Sequence, residues 1–493
     1  MRLNPLTAID FYKADHRRQY PEGTEYVYSN FTPRSGRLAP VLNSYDDKVV
    51  FFGLQGFIKH FLIETWNQEF FSKPKKDIIL AYKARMDAAL GKGSIPTDHI
   101  EALHDLGYLP IRIKALPEGS RVNMRVPMLT VVNTKPEFFW LTNYLETCLS
   151  AGLWKSCATA TIAYEYKKLL REAALKTGVD VEGIAVQAHD FSFRGMSGIH
   201  DAIQHGAGHL TSFVGTDTVA AIDYLEDYYN ADGIIGVSVP ATEHSVMCMG
   251  TKEDEVETFR RLVEDLYPKG IVSIVADTWD FWQVITEFTV ALKDKILARE
   301  TNELGLAKVV FRPDSGDPVK IICGDPDAPQ DSPAYKGAVE CLWEVFGGTE
   351  TEAGYKVLHE RVGLIYGDSI TLERAKHILD GLAAKGFASS NVVLGIGSYT
   401  YQYMTRDSFG FAMKATWGQV NGEGRDIFKD PITDSGLKKS AKGLLRVEKE
   451  GGDFVLYDQQ TAEQETQGAF EIIFEDGELI LDDTLENIRA RLS

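Results

Sequence analysis

A series of short stretches in this chain ends in residues able to bind and act on a polar ligand. HDFSFRG (189–195) carries His189, Asp190, Phe191 and Arg194, and GTDT (215–218) offers Asp217 in a Gly-Thr turn. SVPATEHS (238–245) holds the pair Glu243 and His244, and IVSIVAD ends on Asp277. RPDSG (312–316) supplies Arg312 and Asp314, and VGLIY is followed by Gly367 and Asp368. A flat ring at Phe191 can stack on a planar ligand. Arg194 beside it can bond an amide carbonyl or a phosphate. The Asp217 carboxylate can accept from an amide NH2, Arg312 can contact a phosphate or carbonyl, and Asp314 can accept the hydroxyls of a ribose. Taken singly, each has a plainer reading: a core Phe, a helix start, a tight turn, a satisfied core histidine. Their recurrence after one apolar run after another favours a shared site.

GIGSYTYQYMTRD (395–407) adds a glycine turn at Gly397 and Ser398 whose amides can wrap a phosphate, followed by Arg406. Lys414, Lys429, Lys438, Lys439 and Lys442 then form a basic excess within an acidic chain. That excess suits pyrophosphate, and its plain alternative is a solvated loop. His205 and His209 stand four apart, as in HExxH, but without its Glu, so a packed helix face is favoured over a metal site. There is no GxxxxGK[ST] and no GxGxxG after an early strand, which disfavours a kinase or a dehydrogenase.

Elements that could bring these loops together lie between about residues 180 and 400. The apolar runs GIAVQAHDF (183–191), IIGVSVPATEHS (234–245), IVSIVADTWD (271–280), KVVFRPDSGDP (308–318), VGLIYGDSI (362–370) and NVVLGIGS (391–398) read as buried parallel strands. Amphipathic stretches at 253–267, 281–297 and 371–387 read as helices, the last capped by Thr371 and ending near Gly386. Alternation of this kind predicts βα units, and their number favours a barrel, complete or not, over an open sheet. In such a barrel the loops after the strands meet at one mouth. The flanks are different: YVYSNFTPR (26–34) and LPIRIKALPEGSRV (109–122) mix with helices, and 444–458 and 470–483 read as hairpins. The two ends of the chain are expected to pair into one β-rich domain.

The bulk properties narrow the class. A length of 493 residues exceeds one ordinary core. A net charge of −19 argues against a general nucleic-acid binder. The cysteines, Cys148, Cys157, Cys248, Cys323 and Cys341, form no CxxC pair, and no apolar run has membrane-spanning length. A reduced, cytoplasmic, soluble enzyme is expected.

IDFYKADHRRQYP (9–21), FFGLQGF (51–57), WLTNYLET (140–147), HDFSFRG, GTDTVA, SVPATEHS, RPDSGDP, GDSI (367–370), TRD (405–407) and FKDP (428–431) together resemble the nicotinamide phosphoribosyltransferases, within the type II phosphoribosyltransferases, from residue 9 to at least residue 443. The resemblance implies an α/β fold with a barrel-like βα core over 151–400. It implies a second, β-containing domain built from 1–150 and 401–493, and a homodimer with active sites at the interface. The activity implied is transfer of the phosphoribosyl group of phosphoribosyl pyrophosphate (PRPP) to nicotinamide, with Mg²⁺ carried by PRPP. Stimulation by ATP through a phosphohistidine at His244 is implied too, with Glu243 and Asp277 as its neighbours. By the same resemblance, Phe191 and the partner's Tyr12 stack on the pyridine, Asp217 takes the amide NH2, and Arg194 and Arg312 line the amide side. Asp314 and Gly367 would hold ribose hydroxyls, Asp314 or Asp368 the developing charge on the ribose, Gly397, Ser398 and Arg406 the 5′-phosphate, and Arg34, Lys414 and Lys429 the pyrophosphate. The chain departs from the family's three consecutive glycines at Gly397-Ser398-Tyr399. A nicotinate phosphoribosyltransferase, a non-catalytic NAD-metabolite-binding protein and a barrel enzyme of another reaction are the alternatives.

Overall fold

A computed structural model describes residues 3–367, 369–428 and 441–493. Its centre is a six-stranded, wholly parallel sheet. The strands run in the order Gly215–Thr216, Ala188–Asp190, Val392–Ile396, Val362–Tyr366, Ala307–Arg312 and Gly270–Val275. The run at 234–245, expected as a further strand, makes no named strand. It contributes two isolated parallel bridges, Gly215↔Val237 and Ala241↔Ser273. Those bridges join the sheet's two edge strands, so the ring closes through a broken ladder. Pro240 is the reason it is broken: with no N–H it cannot donate, although its carbonyl accepts from Ser273 N at 2.9 Å. The run at 183–191 also differs from expectation, with a 3₁₀ turn over Glu182–Val186 and only Ala188–Asp190 extended.

Helices cover the outside of the ring. Ile199–Leu210, Val219–Tyr229, the continuous helical stretch 281–297 and Leu372–Ala384 follow their strands as βα units require. Thr371 caps the last of these, its hydroxyl accepting from Arg374 N at 3.2 Å, and Gly386 follows in the left-handed region. The 32-residue helix Glu146–Thr177 packs on Ile199–Leu210 and ends at the left-handed Gly178.

A seven-stranded antiparallel sheet draws on both ends of the chain. Its order is Glu423–Asp426, Ala412–Val420, Thr24–Thr32, Leu129–Asn133, Ile111–Ala115, Glu471–Glu475 and Glu478–Leu479. Asn30 faces Lys414 in this register. The segments read as hairpins form Leu444–Glu450 with Asp453–Gln460, and Glu471–Glu475 with Glu478–Leu479. All five cysteines are free, and among the described residues no helix is long and apolar enough to cross a membrane.

Candidate active site

The C-terminal ends of the parallel strands carry the residues with chemical potential. Asp190 ends the first strand in sequence, and Asp217 follows Gly215–Thr216. Asp277 follows Gly270–Val275, Arg312 ends Ala307–Arg312, and Gly367 and Gly397 each follow a strand by one residue. His244 opens the short helix after the bridging segment, with Glu243 as its N-cap residue.

Phe191 is fixed at the centre. Its amide donates to the Ile396 carbonyl at 2.9 Å, and its ring sits 4.6 Å from the His189 ring. Two glycines make room for it. A Cβ on Gly395 would lie 2.6 Å from Phe191 Cδ2 and 2.7 Å from the Tyr366 carbonyl oxygen, and one on Gly367 would lie 3.7 Å from Phe191 Cε2 and 3.4 Å from Asp314 Oδ1. Gly395→Ala should therefore displace the ring, destabilise the fold by about 1–3 kcal/mol and raise KM for a stacked substrate. A melting curve with steady-state kinetics checks this, and unchanged values for both would contradict the packing described.

Around that ring the polar groups converge. Asp217 Oδ1 lies 2.8 Å from His189 Nε2 and accepts from the Ser238 hydroxyl at 2.8 Å, while no protein donor among the described residues reaches Oδ2. Burial alone would raise the Asp217 carboxyl. The hydrogen bond and charge of His189, the Ser238 hydroxyl and the Arg312 guanidinium outweigh it and hold the group below its usual value. Arg312 donates through Nη2 to the Thr242 carbonyl, and its buried Nε has no partner among the described residues. Burial pulls its pKa below the usual arginine value, Asp314, Asp217 and Asp277 oppose that pull, and Arg194 adds to it, so all four charges face this guanidinium.

Asp277 is a junction. Its Oδ1 lies 3.3 Å from His244 Nε2, and its Oδ2 accepts from Asp314 N at 2.8 Å and the Ser315 hydroxyl at 2.7 Å. It thereby ties the histidine to the RPDSG turn. Glu243, expected as a second neighbour of the imidazole, instead accepts from Ser245.

The glycine loop joins the same mouth. A Cβ on Gly195 would fall 2.1 Å from Ser398 Oγ, so the HDFSFRG and Gly397-Ser398 loops touch. Arg374 lies over the Tyr399 ring at 5.8 Å, which uses the residue where the family glycine is missing. The other cations lie on or beside the strands Thr24–Thr32 and Ala412–Val420. Arg34 donates through Nε to the Gly410 carbonyl at 2.8 Å, next to the loop of the exposed Arg406, whose guanidinium lies 3.5 Å from Asp407. Lys414 stands on the adjoining strand. Tyr12 is 58% exposed, with its ring on His16 and Lys13 rather than on Phe191. Asp368 and Lys429, like Lys438 and Lys439, lie outside the described residues.

Asp190, one of the strand-end residues the motifs offered for chemistry, is instead the centre of a buried network. The Asp190 carboxylate is fully buried and accepts from Ser192 N at 3.0 Å, from the Ser192 hydroxyl and from the Thr218 hydroxyl at 2.6 Å, with His205 Nε2 3.6 Å away. His209 bonds Tyr401 and the Gly215 carbonyl. His205 and His209 thus belong to a packed helix face. Among the described residues no group of three or more His, Cys, Asp or Glu side chains is arranged to hold a metal ion.

A parallel ring whose strand ends carry an aromatic ring, carboxylates, an arginine and a glycine turn frames the site, and the chain belongs to the nicotinate phosphoribosyltransferase (NAPRTase) family, whose model matches residues 186–473. Residues 4–85 match the N-terminal domain of nicotinamide phosphoribosyltransferase. Over 492 residues the chain is 71% identical to the nicotinamide phosphoribosyltransferase of Acinetobacter baylyi, covering 100% of this chain and 97% of that one. It is 34% identical to the enzyme of the same name from Mycoplasma pneumoniae, covering 88% and 93%. The resemblance read from the motifs therefore holds, and the chain is an enzyme of this class. Two solved structures share the fold. The nicotinate-nucleotide pyrophosphorylase of Pyrococcus furiosus aligns with a TM-score of 0.58 at 14% identity, covering 99% of this chain and 95% of that one. Human nicotinic acid phosphoribosyltransferase aligns with a TM-score of 0.56 at 15% identity, covering 98% and 92%.

Proposed function

We propose that this chain transfers the phosphoribosyl group of PRPP to nicotinamide, giving nicotinamide mononucleotide and pyrophosphate in NAD salvage. One observation carries the choice of base: Asp217, held below its usual pKa, has its Oδ1 on His189, whose ring lies 4.6 Å from that of Phe191, and no protein donor among the described residues on its Oδ2, with the Arg312 guanidinium among the charges that act on it. An amide matches that pair, its NH2 donating to Asp217 and its carbonyl accepting from Arg312. A substrate carboxylate would meet the Asp217 charge and be repelled.

In the reaction the pyridine nitrogen attacks the anomeric carbon through its lone pair as the bond from that carbon to the pyrophosphate oxygen breaks. The nitrogen carries no proton, so no general base is required. Catalysis rests on positioning and on charge. Phe191 and Asp217 hold the base, Asp314 takes the ribose hydroxyls and faces the oxocarbenium-like charge, and the Gly397-Ser398 amides with Arg406 take the 5′-phosphate. PRPP enters as its magnesium complex, and Arg34, Lys414 and Lys429 offset the charge of the leaving pyrophosphate. A homodimer in which the partner's Tyr12 covers the open side of Phe191 fits the exposure of Phe11 and Tyr12, 51% and 58%. Free cysteines fit a reducing cytoplasm.

ATP enters this scheme at His244. With Asp277 accepting from Nε2–H, Nδ1 is the nitrogen left to attack. That nitrogen takes the γ-phosphoryl group and ADP leaves, which places negative charge beside the PRPP site. His244→Ala should remove stimulation by ATP, and an undiminished fold-stimulation in the variant would refute the role. The whole reading is tested by incubating the protein with PRPP, Mg²⁺ and either nicotinamide or nicotinate, with and without ATP, and identifying the mononucleotide. Nicotinamide mononucleotide is expected, with more formed when ATP is present.

A further inference from the structure

We infer that His189, with Ser238, is the positioning residue that sets base specificity, by fixing which Asp217 oxygen faces the substrate. The inference rests on the assignment of Asp217 to the base amide.

The geometry starts with both donors on one atom. His189 Nε2 and the Ser238 hydroxyl each lie 2.8 Å from Asp217 Oδ1. A carboxylate can only accept, so Nε2 is the nitrogen that bears the proton in this bond. With Oδ1 saturated from the protein side, the plane of the carboxylate is set and Oδ2 is left for the ligand. Loss of these donors would leave the side chain free to rotate about its last bond, and the acceptor would no longer be aimed.

The imidazole itself has little freedom. His189 and Gly215 are paired across adjacent parallel strands. A Cβ on Gly215 would lie 2.9 Å from His189 Nδ1, so the ring rests against bare backbone there. Its other side meets Phe191, with ring centroids 4.6 Å apart. The histidine is therefore in contact with the stacking ring and the amide acceptor at once, and it couples them. Ser238 comes from the broken segment that closes the barrel, two residues before Pro240, so the same closure delivers the second donor.

The test compares His189→Leu with His189→Gln, because the glutamine amide can replace the Nε2–H donor and leucine cannot. His189→Leu should raise KM for nicotinamide about tenfold, with kcat changed less than about threefold, the size of effect expected when a charged acceptor loses a donor. It should also narrow the preference for nicotinamide over nicotinate. His189→Gln should restore most of both. In the Asp217→Asn background, His189→Leu should cost nicotinamide nothing further, since the acceptor that His189 aims is already lost. A merely structural role would lower the melting temperature and depress turnover of both bases alike, without rescue by glutamine, and that result overturns the proposal. If Asp217→Asn leaves the base preference unchanged, the reading of Asp217 itself fails. If that variant shifts preference while His189→Leu does not, only the positioning role fails.

Discussion

Asp217→Asn should exchange the enzyme's preference between the amide and the acid. His189 and the Ser238 hydroxyl both donate to Oδ1. A side-chain amide placed there must turn its oxygen to those donors, so its NH2 would occupy the Oδ2 position and face the substrate. Nicotinamide would then present a donor to a donor, and nicotinate would present an acceptor. Losing a hydrogen bond to a charged acceptor costs about 1.5–3 kcal/mol, so kcat/KM for nicotinamide should fall roughly ten- to 150-fold. Nicotinate turnover should rise, since the repulsive charge is gone. Steady-state kinetics with both bases measure this. Equal kinetics for wild type and variant would remove Asp217 from the base site.

Asp190→Ala should be the most destabilising single change near the site. The fully buried carboxylate joins Ser192 and Thr218, which directly follow the segments holding Phe191 and Asp217. Its removal leaves buried donors without an acceptor and His205 without its facing charge, at a cost of about 3–5 kcal/mol. Acid adds a second signature. Burial would push the Asp190 carboxyl up, but His205, 3.6 Å away, together with His209 and the Ser192 donors, holds it well below the usual range. A folded pKa below the unfolded one contributes stability that is complete above about pH 4 and is lost as pH falls through the folded value. Burial lowers His209 from 6.5 to about 4 against the opposing Asp190 charge, so its neutral form is stabilising above that window and is lost as pH drops across it. Denaturant midpoints followed to low pH should show both declines in the wild type. The decline below about pH 4 should be missing in Asp190→Ala. A variant as stable as the wild type, with the same acid profile, would contradict the network's role.

Much of this architecture is legible in the chain because burial on both sides of a parallel strand writes a continuous apolar run. Residues 308–312, 362–366 and 392–396 are such runs and are strands. The loops after them are legible for the same reason, since polar residues end each run abruptly. The 234–245 run misleads because periodicity does not report hydrogen bonding, and Pro240 interrupts the ladder although the segment still passes between both edge strands. Asp190 is legible as a strand-end residue, but the network it anchors is hidden for a different cause. Asp190, Ser192, Thr218 and His205 are ordinary polar residues in sequence, and only the turn of the chain at Phe193–Gly195 and the docking of the helix Ile199–Leu210 bring them together. The role of His189 is hidden likewise, since parallel pairing with Gly215 is what sets it against Asp217. Glu243, which the resemblance implies as a neighbour of His244, is the N-cap residue of the helix and turns to Ser245.

The most direct test is a competition. The wild-type protein, given PRPP, Mg²⁺ and equal concentrations of nicotinamide and nicotinate, should yield nicotinamide mononucleotide in large excess by mass spectrometry. Predominance of nicotinate mononucleotide, or no mononucleotide at all, would contradict an amide-selecting site built on Phe191, Asp217 and Arg312.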